Sequence, residues 1–317
     1  MKQEPWRITL IGILISLFLP GLVEASPLVG TGLTISPITQ NLSAQPGESV
    51  TASIKVFNPT DKPVTAYPVV LDFRSDGTSG TPTFYKSSAD GDRFSLSQWF
   101  KAEQGSLVVP PEQSVQFDYR LRVPLNTEAG GHYGAALFSD SVGGFGADNV
   151  KVDVKSMVGT LILLRVAGDI RESAKLISFL ANKTFSFSPH VILNYTIKNV
   201  GNIHIQPYGE LNIKNWRGVT VDTQKVNTVQ GNILPDSTRL FTADWNGDNM
   251  SFGHYTAQLA SFYGTANQPL GSELTFWIIP LWLIITIVVS ILIAIILIRF
   301  RPRIQFQTGS IRNSKKR

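Results

Sequence analysis

The sequence predicts an all-β protein made of two tandem immunoglobulin-like β-sandwiches and one C-terminal transmembrane helix. Three observations support this fold class. Short stretches with an apolar residue at every second position recur through the middle of the chain, some of these stretches repeat each other in order, and a long charge-free apolar segment lies near the C-terminus. Alternation with a period of two is typical of strands with one face against a core. The length of 317 residues suits about two domains and a membrane span.

Composition and charge exclude several classes of protein. The chain has no cysteine, so it has no disulfide framework, thiolate zinc site or cysteine nucleophile. Hydrophobic residues make up 43% of it, which is enough to bury a core. The net charge of +5 does not mark a nucleic-acid-binding face, because residues 299–317 alone hold seven Lys and Arg and no acidic residue. We therefore predict no nucleic-acid partner.

Residues 1–25 have the three parts of a secretory signal peptide. Lys2 and Arg7 precede a charge-free apolar run at residues 8–19, and small residues then lead to Ala25. The apolar run is shorter than the ~20 residues that a membrane span needs, so we predict cleavage after Ala25. An uncleaved anchor helix is the alternative. Both interpretations place the body of the chain outside the cytoplasm.

Residues 276–298 predict a transmembrane helix. They carry no charge, and 23 helical residues span about 34 Å, which is enough to cross the hydrocarbon core. Trp277 and Trp282 lie near the start, where indole rings favour the membrane interface, and Arg299 and Arg301 follow the end. Cationic residues beside a span stay on the cytoplasmic side. The sequence thus predicts a single-pass cell-membrane protein with an extracellular N-terminal body and a basic cytoplasmic tail.

An internal repeat predicts that the body is a duplicated domain. Residues 50–58 match residues 191–199, since each segment has four alternating apolar residues followed by Asn. Residues 131–137 match residues 253–259 through a shared Gly-His-Tyr and the Ala and Leu that follow it. Matches that recur in the same order indicate homologous domains. We place the boundary between the domains near Gly168.

The first domain, residues 26–168, is longer than the second, residues 169–270, and we place the extra length near residues 72–104. A polar insertion with aromatic residues on a rigid sandwich is a common binding surface. An added hairpin that packs on its own sheet is the alternative. The glycine-rich loop at residues 139–149 is a second candidate, which a plain hairpin connection also explains. Trp99 is predicted to be buried. The candidate binding residues on these two segments are Phe84, Tyr85, Arg93 and Phe145.

Tyr133 and Tyr255 occupy the same place in the two repeats and are predicted to be structural. In immunoglobulin sandwiches, a tyrosine two residues before a small inward position returns its hydroxyl to the backbone of the preceding loop. Ala135 and Ala257 provide the small residue here. The neighbouring His132 is predicted to be a surface or rim residue, because it lies beside a corner tyrosine on an alternating strand; no second titratable group accompanies it at a fixed spacing, which argues against a catalytic role.

No motif in the sequence predicts a catalytic, metal or cofactor site. Residues 244–248 resemble the start of a calcium loop, but Asn249 stands where that loop needs glycine and Tyr255 where it needs glutamate. A carboxylate pair for glycoside hydrolysis requires no local motif, and Glu103 and Glu112 are available for it. We predict a protein that is not an enzyme, with a cell-wall polymer hydrolase as one alternative.

The order of parts and several short motifs resemble the WxL-interacting cell-surface proteins of Gram-positive and related bacteria. The motifs that carry the resemblance are Pro37-Ile-Thr-Gln40, Pro46-Gly47-Glu48, Leu96-Ser-Gln-Trp99, Gly131-His132-Tyr133 and Asn199-Val-Gly201-Asn202. The resemblance implies two immunoglobulin-like domains and a C-terminal membrane anchor. It also implies that the first domain binds peptidoglycan and the second binds a host or partner protein.

These observations predict a membrane-anchored extracytoplasmic surface protein. Its immunoglobulin-like domains are expected to bind cell-wall polymer, a glycan or a secreted protein partner. One alternative is a chaperone-like surface assembly factor that uses strand addition, in which an extended segment of one protein joins a sheet of another. That alternative predicts an unpaired apolar edge strand, and residues 150–166 are the candidate because residues 157–166 are unusually apolar.

Overall fold

A computed structural model describes residues 32–87, 92–139 and 157–300 of the chain. These residues form two β-sandwiches followed by an α-helix, which confirms the predicted fold class. The predicted signal peptide, residues 1–25, and residues 301–317 of the basic tail lie outside the described residues.

The first sandwich consists of two facing sheets. Its described strands are β1 (Thr34–Ser36), β2 (Thr39–Ala44), β3 (Ser49–Phe57), β4 (Val64–Ser75), β5 (Pro82–Tyr85), β6 (Phe100–Ala102), β7 (Leu107–Val109), β8 (Ser114–Arg122), β9 (Gly130–Ser139) and β10 (Val158–Val166). One sheet has the order β1-β3-β8-β6. The other has the order β2-β10-β9-β4-β5, with β7 also paired to β4.

The core of the first sandwich lies between its two sheets and follows the period of two that the sequence shows. In β8, Phe117, Tyr119 and Leu121 are fully buried and alternate with more exposed residues. The ring of Phe117 packs edge-on against Phe138 of β9, with the ring centroids 5.1 Å apart. Buried aromatic rings of this kind contribute strongly to hydrophobic stabilisation of the fold.

The second sandwich repeats this plan. Its strands are β11 (Ala174–Ala181), β12 (Phe185–Ser186), β13 (His190–Asn199), β14 (Tyr208–Asn215), β15 (Thr220–Lys225), β16 (Thr238–Asn246), β17 (Gly253–Tyr263) and β18 (Gln268–Ile278). The first sheet has the order β11-β13-β16, and the second has the order β12-β18-β17-β14-β15. Along β13 the alternating residues Val191, Leu193, Tyr195 and Ile197 face the core.

Two equivalent asparagines show that the repeat extends to local structure. Asn58 follows β3 and Asn199 ends β13, and both side chains are fully buried. The amide of Asn58 donates to two backbone carbonyl oxygens at 2.7 and 3.0 Å, and that of Asn199 does so at 2.7 and 2.8 Å. Each amide oxygen also accepts a backbone N–H two residues further on. A buried side chain that satisfies the backbone in this way fixes the loop after each strand.

The apolar C-terminal segment divides into a strand and a helix, so the predicted helix at residues 276–298 starts too early. Strand β18 continues to Ile278, and helix α1 runs from Leu281 to Arg299. Phe276 and Ile278 are fully buried in the second core. Because Trp277 between them faces outward, the segment has a strand period that its continuous apolar character conceals. The second domain therefore extends beyond the predicted end at residue 270.

Helix α1 is long and apolar enough to cross a membrane. It has 19 residues, its most apolar 18-residue window has a mean hydropathy of 3.3, and none of the residues in that window is buried within the protein. Pro280 precedes the helix in an extended conformation, and the backbone N–H of Leu283 donates to its carbonyl oxygen at 3.0 Å. Proline is favourable here because the first helical residues have no internal acceptor for their N–H groups.

The region predicted as an insertion, residues 72–104, begins inside β4 and adds a strand to the second sheet. Strand β5 pairs antiparallel with the end of β4, as the alternative of an added hairpin describes. Trp99, predicted to be buried, is partly exposed, because it ends a short 3₁₀ turn that runs along the surface. Its ring packs against His132, with centroids 4.5 Å apart.

Candidate functional site

The two sandwiches meet at Tyr133, which is almost completely buried. Its hydroxyl accepts the backbone N–H of His204 at 2.8 Å and lies 3.3 Å from Nδ1 of the same residue. This corrects the prediction that the hydroxyl returns to a loop of its own domain. His204 belongs to the loop between β13 and β14 of the second sandwich, and this loop lies against the start of β9. Tyr255, the equivalent tyrosine, contributes its ring to the second core, where it stacks with Phe276 at 5.8 Å.

The side chain of Asn202 holds the same junction through three hydrogen bonds to backbone groups. Its amide oxygen accepts the N–H of Arg171 at 2.7 Å, and its amide nitrogen donates to the carbonyl oxygens of Asp169 and Ala129 at 2.8 and 3.1 Å. The carbonyl oxygen of Asn202 also accepts the N–H of Gly131 at 2.8 Å. One residue thus connects the second sandwich, the linker and the first sandwich, and the domains have a defined arrangement.

Burial at the junction makes two histidines harder to protonate. The pKa of His204 is lowered to about 4, mainly by burial and also by nearby Arg165, while Glu172 opposes the change. Burial also lowers the pKa of His132. His132 is therefore not the rim residue that the sequence predicts, because its ring packs under Trp99 and contacts two backbone carbonyl oxygens.

The free energy of unfolding is expected to fall as the pH decreases from about 6.5 to about 4, because of His204. The pKa of His204 is about 4 in the folded protein and about 6.5 in the unfolded chain, so between these values the unfolded chain binds more protons. The loss begins below about pH 6.5 and reaches about 3 kcal/mol near pH 4. Urea unfolding at a series of pH values measures it, and His204→Gln should flatten the curve. An equally steep curve in that variant would contradict the assignment.

Asp72 organises the segment that follows β5. It is fully buried, and its carboxylate accepts four hydrogen bonds. The donors are the hydroxyl of Ser95 at 2.6 Å, the N–H of Leu96 at 2.9 Å, and the N–H and hydroxyl of Ser97 at 2.7 and 2.9 Å. Charge-assisted hydrogen bonds of this kind are stronger than neutral ones, so this carboxylate fixes the segment at residues 95–97.

A cavity of about 270 Å³ lies at the junction beside this segment. Aromatic rings of Phe73, Phe94 and Tyr133 line it from the first sandwich, and residues 234–237 line it from the second. Its polar and second-sandwich lining residues are Arg74, Ser75, Tyr85, Asp92, Leu234, Pro235, Asp236 and Ser237. Junctions between domains are common places for ligand sites, and an aromatic lining with a few polar groups suits one.

The structure brings part of the predicted binding set to this cavity. Tyr85 lines it and donates its hydroxyl to Asp92 at 2.8 Å; burial and this carboxylate raise the pKa of Tyr85. Phe84 packs against Phe73 with ring centroids 6.3 Å apart. Arg93 forms an exposed ion pair with Glu128 at 2.8 Å. Phe145 lies outside the described residues.

The described part of the candidate edge strand, residues 157–166, has neighbours on both sides, so the prediction of an unpaired edge is wrong for it; residues 150–156 lie outside the described residues. Strand β10 pairs antiparallel with β9 along its length and parallel with β2 along Leu161–Val166. Its apolar character reflects burial within a sheet rather than an open edge.

In the second sandwich, β18 has an open edge along most of its length. The N–H of Trp277 points away from β17 and donates to the carbonyl oxygen of Thr184. Because the direction of the N–H groups alternates along an antiparallel strand, those of Gly271, Glu273 and Thr275 point the same way. Within the described ranges, these three N–H groups have no hydrogen-bond acceptor. Strand β12 covers β18 only at Trp277 and Ile278.

The edge of β18 is open, unlike that of β10, because the chain crosses from one sheet to the other at a different point in each domain. In the first domain, β1 has three residues and β2 then pairs with β10 over six. In the second domain, β11 stays in its own sheet for eight residues, and only the two residues of β12 reach β18. Strand β18 therefore lacks, over most of its length, the hydrogen-bonded neighbour that β2 provides for β10; β11 lies close to β18 but pairs with β13.

The residues predicted at the membrane interface lie at both ends of α1. Trp277 faces outward from β18, with its ring centroid 5.4 Å from that of His254. Trp282 lies in the first turn of α1 and donates its indole N–H to the carbonyl oxygen of Asn249 at 3.3 Å. Arg299 is the last residue of α1, whereas Arg301 lies outside the described residues.

Titratable residues in the described part of the chain do not gather into a metal-binding group of three or more. In the calcium-like segment, Asp244 instead accepts a contact from His190 at 2.6 Å. Glu103, a candidate for hydrolysis, lies 3.9 Å from Arg120. The absence of enzymatic activity stays a prediction.

Comparison with known proteins places the chain by fold. No model of a protein family matches it, and no curated protein does. Solved structures of fimbrial chaperones match most of the chain. The Class 5 fimbriae chaperone CfaA has 14% identity, a TM-score of 0.40, and coverage of 78% of this chain and 100% of that one. The CsuC–CsuE chaperone–tip subunit complex of Acinetobacter baumannii has 10% identity, a TM-score of 0.38, and coverage of 76% and 97%. At these identities the likeness concerns the fold alone, and membership in the WxL-interacting family stays a prediction.

Proposed function

We propose that this chain is a membrane-anchored, chaperone-like binding protein on the outer side of the membrane, which holds a segment of a partner protein by strand addition. The observation that carries the proposal is the open edge of β18. Over most of this edge, β18 lacks the hydrogen-bonded neighbour that β2 provides for β10 in the first sandwich. The solved structures described above are also chaperones, but the open edge of β18 alone supports the proposal.

The backbone groups of β18 provide the binding contacts. An extended partner segment can accept hydrogen bonds from the N–H groups of Gly271, Glu273 and Thr275 and donate to the carbonyl oxygens of the same residues. Each such bond is worth about 1 kcal/mol net, so three bonds need additional side-chain contacts to give a stable complex. Ile177 and Leu180 are exposed apolar residues on β11, the edge strand of the other sheet, and we propose them as candidates for these contacts.

Glu273 gives the edge selectivity. Its side chain faces outward near the middle of β18, where its carboxylate accepts a hydrogen bond from Gln258 at 2.8 Å. Two copies of this chain that paired along the same edge would bring like charges together, which is unfavourable. A partner segment with a basic residue opposite Glu273 would instead be stabilised. The edge therefore suits a different protein better than a second copy.

Photo-cross-linking in intact cells tests the proposal. A photoreactive residue at Thr275, which is exposed on the open edge, should form a covalent adduct with one partner protein. The matched control is Lys55, which is exposed on β3 and is paired with β1 on one side and with β8 on the other. An adduct pattern at Thr275 that equals the pattern at Lys55 would contradict the proposal.

A proline at Glu273 is expected to reduce the adduct at Thr275 about tenfold, because the ring removes an outward N–H and hinders pairing. The second sandwich should remain folded, since this N–H has no acceptor within the described residues and Pro269 already lies on the same edge. Glu273→Gln retains the N–H and is the control. If Glu273→Gln and Glu273→Pro reduce the adduct equally, side-chain charge rather than strand addition governs binding.

The junction cavity favours a second function, the binding of a cell-wall glycan. Sugar rings pack on aromatic side chains, and the cavity combines such rings with Tyr85, Asp92 and Arg74 at its rim. Tyr85→Ala is expected to reduce co-sedimentation of the full chain with isolated cell walls about tenfold. Tyr208→Ala, at an exposed tyrosine of the second sandwich, is the control. Unchanged co-sedimentation of Tyr85→Ala would exclude this cavity as the glycan site.

A further inference from the structure

Exposed aromatic side chains concentrate at the end of the second sandwich that faces α1. Six large apolar residues, each between 41% and 70% exposed, lie at this end and are called the collar here. The collar consists of Phe185, Phe187, Trp216, Met250, Phe252 and Trp277. In the described part of the first sandwich, the large exposed apolar side chains are Ile38, Val108 and Leu125, and none of them is aromatic. The enrichment is therefore local.

Contacts place the collar around the start of α1. Phe185 is the register partner of Trp277 in the pairing of β12 with β18. The ring centroid of Phe252 lies 6.5 Å from that of Trp282 in the first turn of the helix. Trp216 follows β14, whose last residue pairs with Tyr255 near the start of β17. The four segments that carry the collar thus meet at one end of the sandwich.

The connection between the sandwich and the helix is too short to separate them. Strand β18 ends at Ile278 and α1 begins at Leu281, so two residues join them. Three extended steps span at most about 10 Å. The N–H of Ile279 is also bonded to the carbonyl oxygen of Ser186 at 2.8 Å, which ties the connection to the sandwich.

This distance matches the thickness of the membrane interface. The headgroup layer extends the bilayer by roughly 5–8 Å on each side of the hydrocarbon core. Trp and other large amphipathic or aromatic side chains favour this layer. If α1 crosses the core, the collar must lie at the depth of the headgroups. Arg217 and Lys183 are exposed at the same end and carry charges that suit lipid phosphates.

We propose that the collar is a lipid-binding surface that seats the second sandwich in the interfacial layer of the bilayer. The proposal rests on the membrane span in the proposed function. The sandwich then stands directly on the membrane instead of moving on a flexible stalk. The open edge of β18 is consequently held at a fixed height and orientation, with its Trp277 end in the headgroups and its Gln268 end away from them.

Single-cysteine variants test this because the natural chain has no cysteine. The full chain is placed in liposomes that contain lipids with a quencher at a shallow acyl carbon. Four variants each carry one cysteine, introduced by Phe187→Cys, Met250→Cys, Val229→Cys or Val288→Cys. An environment-sensitive fluorophore is attached to that cysteine. Val229 is exposed on the second sandwich and lines a surface depression with Ser79 of the first domain, so it serves as the distant control. Val288 lies within α1 and reports on the span itself.

Quenching at both collar positions, with loss of about half the emission, and none at Val229 is the expected result. Unquenched labels at Phe187 and Met250 together with a quenched label at Val288 would overturn the lipid-binding surface and leave the span intact. An unquenched label at Val288 would overturn the membrane anchor in the proposed function and the lipid-binding surface with it.

Discussion

Asp72→Ala is expected to destabilise the first sandwich by about 3–5 kcal/mol, one of the two largest effects of a single substitution in this chain. The carboxylate is fully buried and accepts four hydrogen bonds from three consecutive residues. Alanine would leave two backbone N–H groups and two hydroxyls without their acceptor. Each buried donor that loses its partner costs about 1–3 kcal/mol, and partial access to water reduces the sum.

Chemical denaturation of the full chain in detergent, followed by tryptophan fluorescence, measures this effect. Asp76→Ala is the control, because Asp76 is exposed and forms a surface ion pair with Arg74 at 3.1 Å. The control should change the free energy of unfolding by less than about 1 kcal/mol. Equal effects of the two substitutions would show that Asp72 does not organise the segment at residues 95–97.

Phe276→Ala is expected to destabilise the second sandwich by about 3–5 kcal/mol, the typical range for removal of a large ring from a core. Phe276 is fully buried, stacks with Tyr255, and packs against Trp245 with centroids 5.6 Å apart. This substitution also separates two interpretations of one apolar segment. A residue in a membrane helix would contribute little to the unfolding of the sandwich, whereas a residue of β18 contributes strongly.

The matched control is Ile284→Ala on α1, at a position that contacts no core of the sandwiches. Thermal unfolding of the β-structure, followed by circular dichroism in detergent, should show a lower transition temperature for Phe276→Ala and no change for Ile284→Ala. A transition unaffected by Phe276→Ala would place β18 outside the second core and end the domain near residue 270.

The alternation of apolar residues predicts the two cores because it reports directly on which side chains face inward. Residues 50–58 and 191–199 became equivalent strands, each followed or ended by a buried asparagine with the same hydrogen bonds. The start of the transmembrane helix predicted from the sequence, residue 276, is too early for a physical reason. Trp277 faces outward between two buried residues, and an outward tryptophan is as apolar as its neighbours, so hydropathy alone cannot reveal the strand.

The binding features could not be predicted locally because they depend on which strands become neighbours. The open edge of β18 arises from the late change of sheet between β11 and β12, and nothing in residues 268–278 records it. The Tyr133 contact likewise depends on a loop 71 residues further along the chain. The insertion predicted near residues 72–104 contributes Tyr85 to the lining of the cavity, so this part of the binding surface is predictable from the sequence.

Amide hydrogen exchange at the open edge tests the central claim, strand addition to β18, most directly. Exchange of the Gly271, Glu273 and Thr275 amides is measured by NMR in the protein alone and in complex with the partner captured at Thr275. The account predicts that all three amides exchange at least about tenfold more slowly in the complex. Unchanged exchange at these three amides, with slower exchange elsewhere on the surface, would contradict it.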